Sequence, residues 1–180
     1  MDTSDSRQKP DPMSFIFEWM SEGEYLREVS CFVADGLGVL SITTDDNPGA
    51  VDFDFFGIWE AMKAAPEMPK KVYMYHTHPP EFAEMSSMDR NMVKGWATAL
   101  AMPIDFVVIS GAGMRLYRCL QGNVVEDKGF LENKNPNELF IVAVMCGLSR
   151  SPRACTDDEL DEVLFHVDHL TGKDGWSFRE

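Results

Sequence analysis

Basic side chains are scarce in this chain: 16 lysines and arginines face 30 aspartates and glutamates over 180 residues, a formal net charge of −14. A surface this acidic repels phosphate backbones and anionic headgroups, which argues against nucleic acid and membrane surfaces as partners. Cysteine is sparse as well. Cys31, Cys119, Cys146 and Cys155 include no Cys-x-x-Cys pair, so neither a disulfide framework nor a thiolate zinc knuckle is written into the chain. Long apolar runs are missing too, the longest spanning 139–148, about half of the roughly 20 residues that cross a bilayer. The opening MDTSDSRQKPDP is polar and acidic where a secretion signal would be basic and then apolar, and the sequence therefore predicts a cytoplasmic protein with reduced thiols. No repeat or low-complexity linker divides it.

What is present is enough to fold alone. A chain of this length buries roughly 70% of the surface its unfolded form exposes, so any metal serves function rather than holding the fold together. The polar residues 1–13 read as a disordered leader, and 14–180 as a single domain with a helical extension over about 136–172. FIFEWM (15–20), LREVSCFVADG (26–36) and LGVLSITT (37–44) read as strands, followed by turn chemistry in DDNPGAVD (45–52). Phe55, Phe56, Ile58, Trp59 and Met62 have the spacing of an amphipathic helix that Pro66 closes. KKVYMYHTHP (70–79) is a strand running into a Pro-rich loop. From Ser86 the pattern is helical, with Met88, Met92, Trp96 and Leu100 on one face and Pro103 as its stop. IDFVVIS and MRLYRCL form a hairpin about Gly111-Ala112-Gly113, NVVEDKGFLENKNPN is a polar connection, and two helices end the chain, the last framed by Thr156 and Gly172. This order predicts an α/β sandwich on a mixed sheet.

Of the four histidines, two form His76-Thr77-His78 where the apolar strand ends. In an extended chain they point to one side, because side chains alternate with period 2. Asp89 follows in the first turn of the next helix, and the loop from Pro79 to Met85 is short enough to return its carboxylate to the imidazoles. Two histidines and one carboxylate with a free fourth position are the ligand set of a catalytic zinc, one per chain, where a bound water becomes a nucleophile near neutral pH. Ser86, three residues before Asp89, also fits a capping box with it.

The joint string HTHPPEFAEMSSMD resembles the signature His-x-His-x7-Ser-x2-Asp of the JAMM (MPN+) zinc metallopeptidases, matching every specified residue and both spacings. That family also uses a glutamate on an earlier strand. Of Glu18, Glu22, Glu24 and Glu28, the last opens REVSCFVADG, which is similar to the family's glutamate-bearing strand, and TTDDNPGAVDFD resembles its N-x-A-x-N-P-x-x-x-F segment. The resemblance covers about residues 24 to 120 and implies the MPN (cytidine-deaminase-like) fold, a curved mixed sheet flanked by helices. It implies that His76, His78 and Asp89 bind zinc, that Glu28 is the general base, and that Ser86 donates to the tetrahedral oxyanion.

The function so implied is a zinc-dependent isopeptidase or peptidase acting on a protein substrate, a ubiquitin-like protein at its C-terminal tail. Two alternatives stand beside it: a phage or bacterial peptidase acting on a tail or sulfur-carrier protein, and a non-catalytic MPN scaffold that docks a partner. Other signals carry less. His166 and His169 in the last helical turn complement the helix dipole, as do Asp157, Asp158 and Glu159 in its first. Cys31 and Cys146 lie in apolar runs and read as inert.

Overall fold

A computed structural model describes residues 24–45, 52–111, 113–128, 136–151 and 153–172. The predicted leader, the strand over 15–20 and most of the 45–52 turn lie outside them. Six strands, β1 (Val29–Ala34), β2 (Gly38–Thr44), β3 (Val72–Thr77), β4 (Ile104–Ser110), β5 (Gly113–Leu120) and β6 (Asn123–Asp127), form one sheet in the order β2-β1-β3-β4-β5-β6. Only β3 and β4 run parallel; every other neighbouring pair is antiparallel. The helices are α1 (Phe55–Lys63), α2 (Ser87–Leu100), α3 (Pro136–Arg150) and α4 (Asp157–Thr171). Helix α2 is the crossover that a parallel pair requires. The chain is thus mixed α/β, a six-stranded mixed sheet flanked by helices.

Period-2 alternation divides the strands between two cores. Val29, Cys31, Val33, Tyr73, Tyr75 and Val107 face α3 and α4, packing on Ile141, Met145, Leu148 and Val163. Phe32, Ala34, Met74, Phe106 and Val108 face the other way, onto Ile58, Met62, Val93, Trp96 and Leu100 of α1 and α2. Both faces of the sheet are apolar because both are covered. Each fully buried Phe, Ile or Met side chain contributes ~1.5–3 kcal/mol relative to exposure.

Three expectations are corrected. The polar connection contains β6, because Gln121 (φ 50) and Gly122 (φ 80) both adopt the left-handed region that a tight two-residue hairpin demands, and Gln is an unusual residue to supply it. The buried face of α2 is Asp89, Val93, Trp96, Ala97 and Leu100, so Met88, placed by spacing with the core, is 72% exposed. In α1 only Ile58 and Met62 are buried, while Phe56 is 79% exposed. The two C-terminal helices form as expected, α4 with Thr156 as N-cap in a full capping box with Glu159.

Candidate metal centre

The site lies where β1 begins and β3 ends. In the β1–β3 register Ser30 is opposite His76. Stepping two residues outward puts Glu28 opposite His78, and both points fall on the α1/α2 side of the sheet. The Val29 amide donates to Thr77 Oγ1 at 2.8 Å, fixing the strand ends against each other. The loop after His78 is tied down as well: the His78 amide donates to Ile109 O at 2.8 Å, Phe82 to Pro79 O at 2.9 Å, and Met85 to Tyr117 Oη at 3.2 Å. Pro80 packs so tightly over Gly111 that a Cβ there would stand 2.8 Å from Pro80 Cβ. These contacts deliver α2 with its first turn aimed at the imidazoles.

All five residues singled out from the sequence converge, and Glu28, His76, His78 and Asp89 are each buried. His76 Nε2 lies 3.1 Å from Glu28 Oε2. His78 Nε2 lies 3.1 Å from Asp89 Oδ2, and His76 Nδ1 lies 3.2 Å from Asp89 Oδ1. That last pair is close but poorly aligned, and His76 Nδ1 is a buried atom with no hydrogen-bond partner among the described residues. Ser86 caps α2: its Oγ accepts from the Asp89 amide at 3.1 Å, and its own amide donates to Asp89 Oδ2 at 2.9 Å. The Ser86 hydroxyl donates to the same oxygen at 2.6 Å. The capping reading of Ser86 is therefore realised, and the same bonds set its hydroxyl against Asp89.

Electrostatics follow from the packing. Burial of His76 disfavours its charged form, but the carboxylates of Asp89 and Glu28 outweigh burial and push its pKa up to about 9. Burial also acts to raise Asp89, yet the adjoining imidazoles of His76 and His78, together with donation from Ser86, hold it well below the usual carboxylate range. Phe53 and Phe106 meet the His76 ring edge-on at centroid distances of 6.5 and 6.0 Å, confining its orientation. The sequence did not single these two out, although Phe53 is the phenylalanine that closes TTDDNPGAVDF.

Glu28, His76 and His78 each offer a donor atom within 4.8 Å of the others, so this buried group can hold a metal ion. The fit has an independent sign. Buried polar atoms are almost always satisfied, and the unpaired His76 Nδ1 is the kind of atom a cation would satisfy. Asp89, expected as the third ligand, touches both imidazoles but falls outside that closest grouping, whereas Glu28, expected as the base, falls inside it. His166 stands on α4 with Glu162 4.0 Å away, and α4 packs on the sheet's opposite face, so the C-terminal histidines take no part. A cleft of about 630 Å³ opens onto the centre. Its wall includes Phe82, Met85, Met88 and Met92, none of which the motif marks.

No family model matches the chain, and no curated protein matches it. Among the described residues no helix is long and apolar enough to cross a membrane.

Proposed function

We propose that this chain is a zinc-dependent amide hydrolase of the JAMM type on an MPN fold, processing a ubiquitin-like protein at its C-terminal tail in the cytoplasm. The observation that carries the hydrolase reading is the convergence of two buried imidazoles and two buried carboxylates, with the exposed Ser86 hydroxyl beside them, along one cleft. Structural polar pairs rarely assemble in that number beside open volume, and perturbed ionisable groups in a cleft mark functional sites.

In this reading His76, His78 and Asp89 hold the metal. Zinc bound there would supply Lewis acidity toward a water and toward the scissile carbonyl. The chain's own residues do the rest. Glu28 takes a proton at Oε2 and returns it to the leaving amine, a role that suits a carboxylate walled from bulk solvent. Asp89 is fixed by the α2 cap, so its position is set before substrate arrives. Ser86 turns its hydroxyl from Asp89 toward the substrate oxygen to stabilise the developing charge. Phe53 and Phe106 keep His76 from rotating away.

The test is metal analysis joined to turnover. After zinc reconstitution and desalting, the wild type is expected to hold about one equivalent, His76→Ala/His78→Ala to hold almost none, and cleavage of ubiquitin-like fusions to stop with chelator and return with zinc. Less than half an equivalent in the wild type, or turnover that resists the chelator, overturns the reading. Stoichiometric zinc without turnover favours the scaffold alternative.

A further inference from the structure

The cleft has two chemically distinct parts. Its inner end is the polar cluster; its outer wall is Phe82, Met85, Met88 and Met92. Phe82 is 60% exposed and Met88 72%, and apolar side chains gathered in one concavity, rather than scattered singly, mark binding surface. The wall is built to stay open. Phe82 rides on the loop pinned through Met85 to Tyr117 and through Pro80 against Gly111, so it is presented outward instead of collapsing inward. The methionines add thioethers that adapt to varied apolar shapes.

The rim charge is of one sign. Asp52 and Glu84 line the same cleft, and no lysine or arginine lines it among the described residues. Glu84 pairs with Arg115 at 3.3 Å, but that arginine also lies 3.6 Å from Glu126 and outside the cleft, in a chain of net charge −14. An apolar wall under an acidic rim selects a segment that pairs a large apolar side chain with a neighbouring cation.

We propose that Phe82 and Met88 form a specificity subsite that takes a bulky aliphatic or aromatic side chain of an extended peptide, while Asp52 and Glu84 favour a lysine or arginine next to it. The subsite rests on the amide-hydrolase reading and adds which peptide that site prefers. It also explains why Met88 departs from the core face of α2: turning Asp89 inward to the histidines turns its neighbour out over the cleft.

The test uses the full chain loaded with zinc and a set of N-acetylated, fluorescein-labelled hexapeptides. One central position carries Leu, Phe, Gly or Asp, and the adjacent position carries Lys or Glu. Binding is read by anisotropy, cleavage by mass spectrometry. Peptides with Leu or Phe are expected to bind at least about tenfold more tightly than their Gly or Asp counterparts, and Lys-flanked peptides more tightly than Glu-flanked ones, with the second preference shrinking as salt rises. Phe82→Ser/Met88→Ser, altering two exposed side chains, is expected to abolish the apolar preference while zinc content, melting temperature and the lysine preference persist. Equal binding across the central residues, an apolar preference that survives the double substitution, or no measurable binding by any peptide overturns the subsite. Selective binding without cleavage keeps the subsite and removes the hydrolase reading; cleavage without selectivity does the reverse.

Discussion

Ser30 of β1 stands directly opposite His76 of β3, and this single register match brings Glu28 beside the His76 imidazole. Because side chains repeat every second residue, Glu28 emerges on the face that carries His76 and closes to 3.1 Å from its Nε2. Glu28→Gln is expected to lower turnover by about 10²- to 10⁴-fold while zinc content and melting temperature stay near wild type. Asp89→Asn should lose zinc. Equilibrium dialysis with zinc on both variants decides the matter, since loss of metal in Glu28→Gln and retention in Asp89→Asn would exchange the two roles. Glu24→Gln is the control, an exposed residue expected to change neither.

Ser86 and Thr156 cap α2 and α4 in the same way, each with a reciprocal capping box. Removing either hydroxyl as alanine should cost about 1 kcal/mol of stability in urea unfolding. Only Ser86→Ala should also lose turnover in the zinc-loaded protein. Equal activity in the two variants would reduce Ser86 to helix-start chemistry.

Glu159 gives a pH dependence remote from the metal. Hydrogen bonds from Arg153, at 2.7 and 2.6 Å, and from the Thr156 backbone bring its pKa down to about 2. A carboxyl lowered on folding contributes stability that is complete above its unfolded pKa and is lost as pH falls through the folded one. The wild type should therefore be more stable than Glu159→Gln above about pH 4.5, the group's ordinary value, with the gap closing toward about pH 2. The side chains are substantially solvated, so the gap should be small. Melting curves of both proteins across this range check it, and a gap that widens with acid would contradict the assigned partner.

Gly111 faces Pro80, where an added Cβ would stand 2.8 Å from Pro80 Cβ and 3.2 Å from its Cα. Gly111→Ala must displace the loop that begins at His78. It should cost about 1–3 kcal/mol, the range of overpacking, and weaken zinc affinity although the residue touches no ligand. Unchanged unfolding and unchanged affinity would show that the loop yields freely.

Much of this site was legible because its residues are close in sequence. His76, His78, Ser86 and Asp89 lie on one strand-loop-helix unit, so spacing alone carries their geometry, and the capping box is a local signal. Glu28 was harder: it lies 48 residues from His76, and only the resemblance of REVSCFVADG to a family's glutamate-bearing strand singled it out. What periodicity misread was rotation. The Met88, Met92, Trp96, Leu100 stripe and the Asp89, Val93, Ala97, Leu100 stripe are adjacent on the same helix, and the polar demand of the histidines for Asp89, not hydrophobicity, decided between them. Strand β6 was hidden by short length and by a Gln-Gly turn in place of Asn-Gly. Phe82 carried no periodic signal, being a lone aromatic in a Pro-rich loop.

Tyr75 and His76 are covalent neighbours, yet one packs among α3 and α4 and donates to Glu138 Oε1 at 3.1 Å, while the other is held by Glu28. The sheet thus acts as a partition between two sets of constraints that share a backbone but few side chains. The end of α3 still borders the centre, since Ser149 O accepts from the Leu26 and Arg27 amides at 2.8 and 3.2 Å just before Glu28. Helix α4, however, packs chiefly on β2, so its exposed face can drift, acquire charge or be recast as a docking face without re-solving the geometry at His76. An engineer wishing to attach a new targeting surface to this chain should build there, on the exposed face of α4, across the sheet from the candidate metal centre.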